Sequence, residues 1–228
     1  MAVPPEPPPN RWDFPPPSAW PPDDDVIAWG ADLEPGTLVH AYRHGLFPMP
    51  LNSRLAWWSP VKRAVIPVEG FRLSRSLRRS QRRYRLTLDI AFPQVVAACA
   101  DRPDVWIDEA MAAAYVRLHQ LGWAHSIEAW DEGDGLAGGL YGVTIGSLFA
   151  GESMFHRERD ASKVALAGLV QVMSGVEAPL LDVQWATPHL TSLGAEVIGR
   201  AGYLERLAAA IAAPDPFAGS TPDPFVEN

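Results

Sequence analysis

The sequence predicts an α+β protein: a mixed, largely antiparallel sheet with helices on its faces. Three observations predict it. From residue 84 on, the stretches read strand, helix, helix, three strands, helix, strand, helix. The three consecutive strand-like runs, AHSIEAW, GLAGGLYGVTI and SLFAGESMF, are joined by short turn-rich links that force antiparallel pairing. The helix-like stretches open on cap residues and close on glycine.

The elements follow in chain order. Ten prolines in residues 1–22 exclude helix and ladder, so this leader is expected to lie extended over the body or stay mobile, with Trp12, Phe14 and Trp20 as anchors. Asp32-Leu33-Glu34-Pro35 opens a short helix, TLVHAYRHG, closed by Gly45. LFPMPL is expected to turn sharply, LAWWSP to be a short strand or loop, and AVIPV (64–68) a strand. LSRSLRRSQ is helical, YRLTLDI (84–90) alternates like a strand, and PQVVAACA starts a helix at Pro93. Asp108 caps EAMAAAYVRLHQLG, which ends at Gly122. Gly146-Ser147 is a tight hairpin turn. Asp160 and Ser162 cap a helix ended by Gly175, PLLDVQ is a short buried strand, TPHLTSLGAE begins a helix or turn, and YLERLAAAIAA is the last helix. The expected division is a proline-rich leader (1–22), a small N-terminal α+β domain (23–62), a larger domain (63–213) and a loose tail (214–228).

Composition narrows the function classes. The 228 residues are 47% hydrophobic and 20% charged, enough to bury a sizeable core. No apolar run is long enough for a transmembrane helix, and MAVPPEPPPNRW lacks the marks of a signal peptide. The lone Cys99 cannot staple the fold and suits a reducing cytoplasm, where it acts as a small buried hydrophobe. Net charge is −8, yet FRLSRSLRRSQRRYR (71–85) holds seven arginines and no acid. A strongly basic element therefore rides on an acidic body. Arg72, Arg75, Arg79 and Arg82 share a helical face with Leu73 and Leu77 opposite. A solvated face normally mixes signs, so an anionic partner is expected, a phosphate backbone ahead of an acidic membrane surface.

Two polar insertions in apolar strands point to a site. Gly151-Glu152-Ser153 ends a strand between Phe149 and Phe155; glycine permits close approach of a ligand, and the carboxylate needs either a structural cation, with Lys163 a candidate, or a substrate amine. In LLDVQ, Asp182 and Gln184 lie two apart, which on a regular strand places both on one face. The Asp182 carboxylate would then accept from the Gln184 side-chain amide and polarise its carbonyl; a polar cluster capping the next helix is the structural alternative. Trp57, Trp58 and Trp106 serve either packing or base stacking. His189 has no ligand-type neighbour at metal spacing, and no metal is expected. The chain lacks G-x-S-x-G and the Walker-type phosphate loop. HRERDASK stands where acetyltransferases carry a glycine-rich coenzyme A loop, so coenzyme A is not expected as a donor.

DLEPGTLVHAYRHGLFP, AWWSPVKRAVIP, GLYGVTIGSLFAGESMF, DASKVAL and LLDVQ…HLTSLGAE occur in one order over roughly residues 26 to 200. In these the chain resembles the leucyl/phenylalanyl-tRNA–protein transferases. The resemblance implies a small N-terminal domain joined to a GNAT-like acyltransferase domain. It implies transfer of Leu, Phe or Met from aminoacyl-tRNA to proteins beginning with Arg or Lys, marking them for N-end rule degradation in the cytoplasm, without metal, cofactor or membrane. By the same resemblance Asp182 and Gln184 are catalytic, and Leu140, Phe149, Leu166 and Leu181, with Gly151 and Glu152 at the rim, hold the aminoacyl group and meet the acceptor. Met49 and Trp106 would meet the terminal adenosine of the tRNA, with Arg72, Arg75, Arg78, Arg79, Arg82 and Arg83 on its backbone. Met49 departs from the aromatic residue that the family often carries there. The rival readings are an RNA-binding module without chemistry and a GNAT-like enzyme with another donor; Glu152, Asp182 and Gln184 together argue against the first, and the missing glycine loop argues against coenzyme A as the other donor.

Overall fold

The computed structural model describes residues 4–101, 106–219 and 225. Its N-terminal part builds a three-stranded antiparallel sheet from β1 (Val26–Trp29), β2 (Phe47–Leu51) and β3 (Arg54–Trp58), in the order β1-β3-β2. LFPMPL, expected to turn, is therefore strand β2. Pro48 and Pro50 have no N–H to give, and β2 tolerates them because it is an outer strand. Asn52 and Ser53, at φ 51° and 61°, close the β2–β3 hairpin in the doubly left-handed turn that matches strand twist. Between β1 and β2 runs α1 (Pro35–Arg43), with proline in its first turn and Gly45 just past its end at φ 80°.

The larger sheet has seven strands in the order β10-β4-β9-β8-β7-β6-β5. These are β4 (Lys62–Ile66), β5 (Arg85–Leu88), β6 (Ala124–Trp130), β7 (Leu136–Ile145), β8 (Leu148–His156), β9 (Leu180–Gln184) and β10 (Glu196–Gly199). β8 and β9 run parallel; the other neighbouring pairs are antiparallel. The helices are α2 (Arg75–Gln81), α3 (Phe92–Ala100), α4 (Glu109–Gln120), α5 (Ala161–Met173), α6 (Pro188–Ser192) and α7 (Arg200–Ala212). α3 and α4 cover one face of the sheet with α1, while α5 covers the other and carries α2 on its back.

The expected strands and helices from residue 84 on are present, TPHLTSLGAE supplying the short α6, with β10 added before the last helix. Strands β1, β2 and β10, which the sequence did not announce, are all outer strands. An outer strand needs partners along one side only, and these three lack the strict alternation that marks a half-buried strand. Asp108 caps α4 by accepting from the Met111 N–H at 2.8 Å. Asp160 stands at the N-cap of α5, but its carboxylate takes the Ser80 hydroxyl (3.0 Å) and Lys163 (3.2 Å) instead of a backbone N–H.

The two sheets share one body of buried apolar side chains, which runs from Leu38 and Trp57 to Tyr141 and Val143. The leader lies against it. Trp20 is buried and donates to the Pro15 carbonyl at 2.7 Å, Phe14 meets Trp57 edge-on at 4.9 Å, and the Trp12 indole donates to Asp32 at 2.8 Å. The three expected anchors thus hold residues 4–22 over the surface, and where helix was excluded a single 3-10 turn forms at Pro17–Ala19, because proline fits the first turn of a helix. No described helix is long and apolar enough to cross a membrane.

Candidate active site

The site forms where the parallel strands part. β8 and β9 pair at Leu148↔Leu180, Phe149↔Leu181 and Ala150↔Asp182, and no further. Each strand then bulges. Against β7, Tyr141 faces Ser153 and Gly142 faces Gly151, so Glu152 is the extra residue of β8. Against β4, Val65 faces Asp182 and Ala64 faces Gln184, so Val183 is the extra residue of β9. Bulges bend a strand and re-aim its side chains. A cavity of ≈ 320 Å³ opens at the split, lined by Leu140, Phe149, Gly151, Glu152, Leu166 and Leu181. Gln184 lines it as well. Residues from β7, β8, α5 and β9, up to 44 positions apart in the chain, converge on this one space. A Cβ on Gly151 would meet the Asp182 carbonyl at 3.4 Å and little else, so the glycine keeps this wall of the cavity clear.

Asp182 and Gln184 do not share a face. Gln184 has φ 56°, and the Trp185 N–H donates to the Val183 carbonyl at 2.7 Å, so the chain makes a γ-turn centred on Gln184. That turn swings Gln184 to the cavity side, with Leu181 and Val183. Asp182 points the other way. Its carboxylate accepts two bonds from Arg63, Nε to Oδ1 at 2.9 Å and Nη2 to Oδ2 at 2.6 Å, and one from the Tyr203 hydroxyl at 2.9 Å. What it takes from Gln184 is the backbone N–H, at 3.0 Å, and not the side-chain amide. The expected polarisation of the Gln184 carbonyl by Asp182 is therefore replaced by a backbone tether that holds the γ-turn. The Gln184 side-chain nitrogen is buried with no partner among the described residues, and the residue is 8% exposed. An orphaned donor in an apolar cavity costs free energy until something supplies an acceptor.

Arg63 anchors the other side. Its side chain is 1% exposed, stacks on Phe47 and Tyr203 at 4.7 and 4.3 Å, and donates to the Gly45 carbonyl at 3.3 Å. Burial works against its charge, but Asp182, with Tyr203 and Glu152, more than offsets it and holds the guanidinium above its ordinary pKa.

Glu152 is not paired with Lys163, which binds Asp160. Two tyrosines hold it. The Tyr42 hydroxyl of α1 donates to Oε1 and the Tyr115 hydroxyl of α4 to Oε2, each at 2.7 Å, and the two hydroxyls lie 3.0 Å apart. Burial pushes the Glu152 carboxyl from 4.5 up to about 7; the Tyr115 and Tyr42 hydroxyls pull it down, nearby Asp182 adds to the rise, and Arg63 opposes it. With Asp182 neutralised by Arg63, an ionised Glu152 leaves the site one negative charge in excess, which favours a cation such as an ammonium group.

The arginine segment forms α2, capped by the Ser74 hydroxyl on the Leu77 N–H, with Leu77 buried and Leu73 half-buried. Arg72 and Arg82 fall outside the helix, so the expected four-arginine stripe is shorter than the spacing implied. Arg72, Arg75, Arg78, Arg79, Arg82 and Arg83 are all exposed. Arg83 reaches Glu158 at 3.7 Å, while the other five have no carboxylate within 4.0 Å among the described residues. Arg75, Arg79 and Arg83 line a groove with Arg159. Trp106 and Met49 are half-buried against the main core, and Trp57 is fully buried. Trp58 is held by its indole N–H on the Met49 carbonyl at 2.9 Å and meets Trp185 edge-on at 5.6 Å.

Sequence reasoning missed Arg63, Tyr42, Tyr115 and Tyr203. One signal pointed to Arg63: an aspartate after Leu180-Leu181 must find a buried donor, and Arg63 directly precedes the apolar run of β4.

Residues 65–208 match the family model described as leucyl/phenylalanyl-tRNA protein transferase, and residues 31–61 match that of its N-terminal domain. Leucyl/phenylalanyl-tRNA–protein transferases of Anaeromyxobacter sp. (strain K), Cereibacter sphaeroides and Aromatoleum aromaticum are 48%, 48% and 45% identical to the chain. The alignments cover 88%, 84% and 87% of this chain and 89%, 92% and 87% of those relatives. These relatives make the chain a transferase, an enzyme that moves an aminoacyl group. More narrowly, the chain belongs to the leucyl/phenylalanyl-tRNA–protein transferase family.

Proposed function

We propose that the cavity takes the side chain of the amino acid carried by leucyl-, phenylalanyl- or methionyl-tRNA, and that the protein transfers that residue to the α-amine of a protein beginning with Arg or Lys. The observation that carries the reading is the junction itself. An apolar cavity, an unpartnered amide and a carboxylate meet where two strands part. The incoming amine, once it has released its ammonium proton to solvent, attacks the ester carbonyl; the C–N bond forms, the C–O bond to the ribose breaks, and a second amine proton ends on the ribose oxygen. The ester is already activated, so holding the two reactants in attack geometry supplies much of the acceleration.

In this reading the walls Leu140, Phe149, Leu166 and Leu181 grip the side chain, and favour unbranched or γ-branched ones over β-branched ones. Gly151 leaves the passage clear. Glu152 draws in the positive amine. Gln184 offers its amide to the reacting groups; because Asp182 bonds its backbone and not its side chain, Gln184 positions rather than removes a proton. Asp182, neutralised by Arg63, keeps the γ-turn in place. Met49 and Trp106 would receive the terminal adenosine. Arg72, Arg75, Arg78, Arg79, Arg82 and Arg83 would neutralise tRNA phosphates. The larger half would be a GNAT-like domain that needs no cofactor or metal, and the enzyme would act in the cytoplasm to mark proteins for N-end rule degradation. The test is transfer of label from each of the three aminoacyl-tRNAs to a peptide beginning with Arg. Labelling that vanishes when the peptide is N-acetylated is the expected result. No labelling from any of the three overturns the reading.

A further inference from the structure

The cavity wall made by Phe149 is backed by a residue far along the chain. Phe149 is fully buried, and its ring lies against Gly142: a Cβ there would meet the ring at 2.4 and 2.7 Å, so no other residue would let the ring lie where it does. The same ring also meets Phe217, with ring centroids 5.8 Å apart and an interplanar angle of 33°. Phe217 is itself fully buried and stacks flat on His125 at 4.4 Å and 2°. His125 is held in turn, its Nδ1 2.6 Å from Asp89 Oδ2. The backbone around Phe217 is pinned by a turn, the Phe217 N–H donating to the Asp215 carboxylate at 2.8 Å. Phe217 stands beyond the residues matched by either family model, which end at 208.

We infer that Phe217 sets the depth of the aminoacyl cavity, acting through Phe149, and so decides how leucyl and phenylalanyl side chains rank. This rests on the reading of the cavity given above. Phe217 touches no substrate; it is a positioning residue. Its ring fills space beside Phe149, and the close fit on Gly142 leaves the Phe149 ring no slack at that contact. With Phe217 shortened, Phe149 moves back, the cavity deepens, and the larger phenyl group gains contacts that the isobutyl group cannot reach. Discrimination in apolar pockets is modest per methylene, roughly tenfold upward, so a shift of that size is the expected scale.

The experiment compares the full chain with F217A and F217L by calorimetric binding of the adenosine 3′-amides of leucine and phenylalanine, which cannot transfer. The expected result is a Kd ratio moved about tenfold toward phenylalanine in F217A and less, in the same direction, in F217L. F217L keeps the site filled, so it decides the matter if F217A does not fold. A ratio within about twofold of the parent, in a variant that folds but melts lower, overturns the inference alone: Phe217 would then be ordinary core. A parent protein that binds neither amide overturns the cavity reading and this inference together.

Discussion

Glu152→Gln tests the electrostatics of the site through stability alone. The glutamate is held by two tyrosine hydroxyls in a buried cluster, and burial raises its carboxyl from 4.5 to about 7. The folded protein thus holds this proton more tightly than the unfolded chain does. Its contribution is most favourable below pH 4.5, is lost progressively as pH rises toward about 7, and stays lost above that. At about 1.4 kcal/mol per pH unit, the gap between 4.5 and about 7 amounts to about 3 kcal/mol. Glutamine matches the protonated acid in shape and never ionises. The parent should therefore match the variant near pH 4.5 and fall below it by about 3 kcal/mol at pH 8, a difference of ~6–12 °C in Tm for a chain of this size. Urea denaturation of both proteins between those pH values gives the difference directly, with all other titrations cancelling. A difference that stays flat within about 0.5 kcal/mol would mean that the tyrosines hold an ordinary carboxylate, and the electrostatic account of the site would fall.

Arg63→Met leaves Asp182 buried with only Tyr203 and a backbone N–H, and should cost about 3–5 kcal/mol in urea denaturation; adding Asp182→Leu should recover most of it, because an apolar pair replaces a broken ion pair. Gln184→Asn should fold nearly as well as the parent, since asparagine tolerates positive φ, yet its shorter amide should lower the transfer rate at least about tenfold; Gln184→Val should instead lose about 1–3 kcal/mol of stability in the γ-turn. Replacing Arg75, Arg79 and Arg82 together by Ala should leave Tm nearly unchanged and reduce the slope of log K for tRNA against log salt by about 2, measured by filter binding at several salt concentrations.

How much of this was legible from residues alone can be judged at particular places. Strands β6, β7 and β8 were legible because alternation and turn chemistry are local, and so was α4, which Asp108 opens with a side-chain bond three residues long. Strand β2 was not, because two prolines read as a turn unless one knows that its ladder partner lies on one side only. Leu140, Phe149, Leu166 and Leu181 were placed in one cavity by resemblance to a family, and all four line the cavity at the strand split. The Asp182–Gln184 contact was misjudged because period-two reasoning assumes a regular strand, and a positive φ at Gln184 cancels it.

What the sequence by itself determined is therefore what neighbours within a few positions decide: the run of elements from β5 to β9, the cap of α4, the hairpin at Gly146, the basic charge of 71–85, and the presence of two carboxylates in apolar surroundings that had to be partnered. What only the tertiary structure decided is who the partners are. Glu152 meets Tyr42 across 110 positions, Asp182 meets Arg63 across 119, and Phe149 is backed by Phe217 from the far end of the chain. The reason is physical: the need for a donor near a buried charge is fixed by desolvation and is visible locally, but many hydroxyls and guanidinium groups could meet it, and the packing of α1, α4, β4 and the tail on one sheet chooses among them.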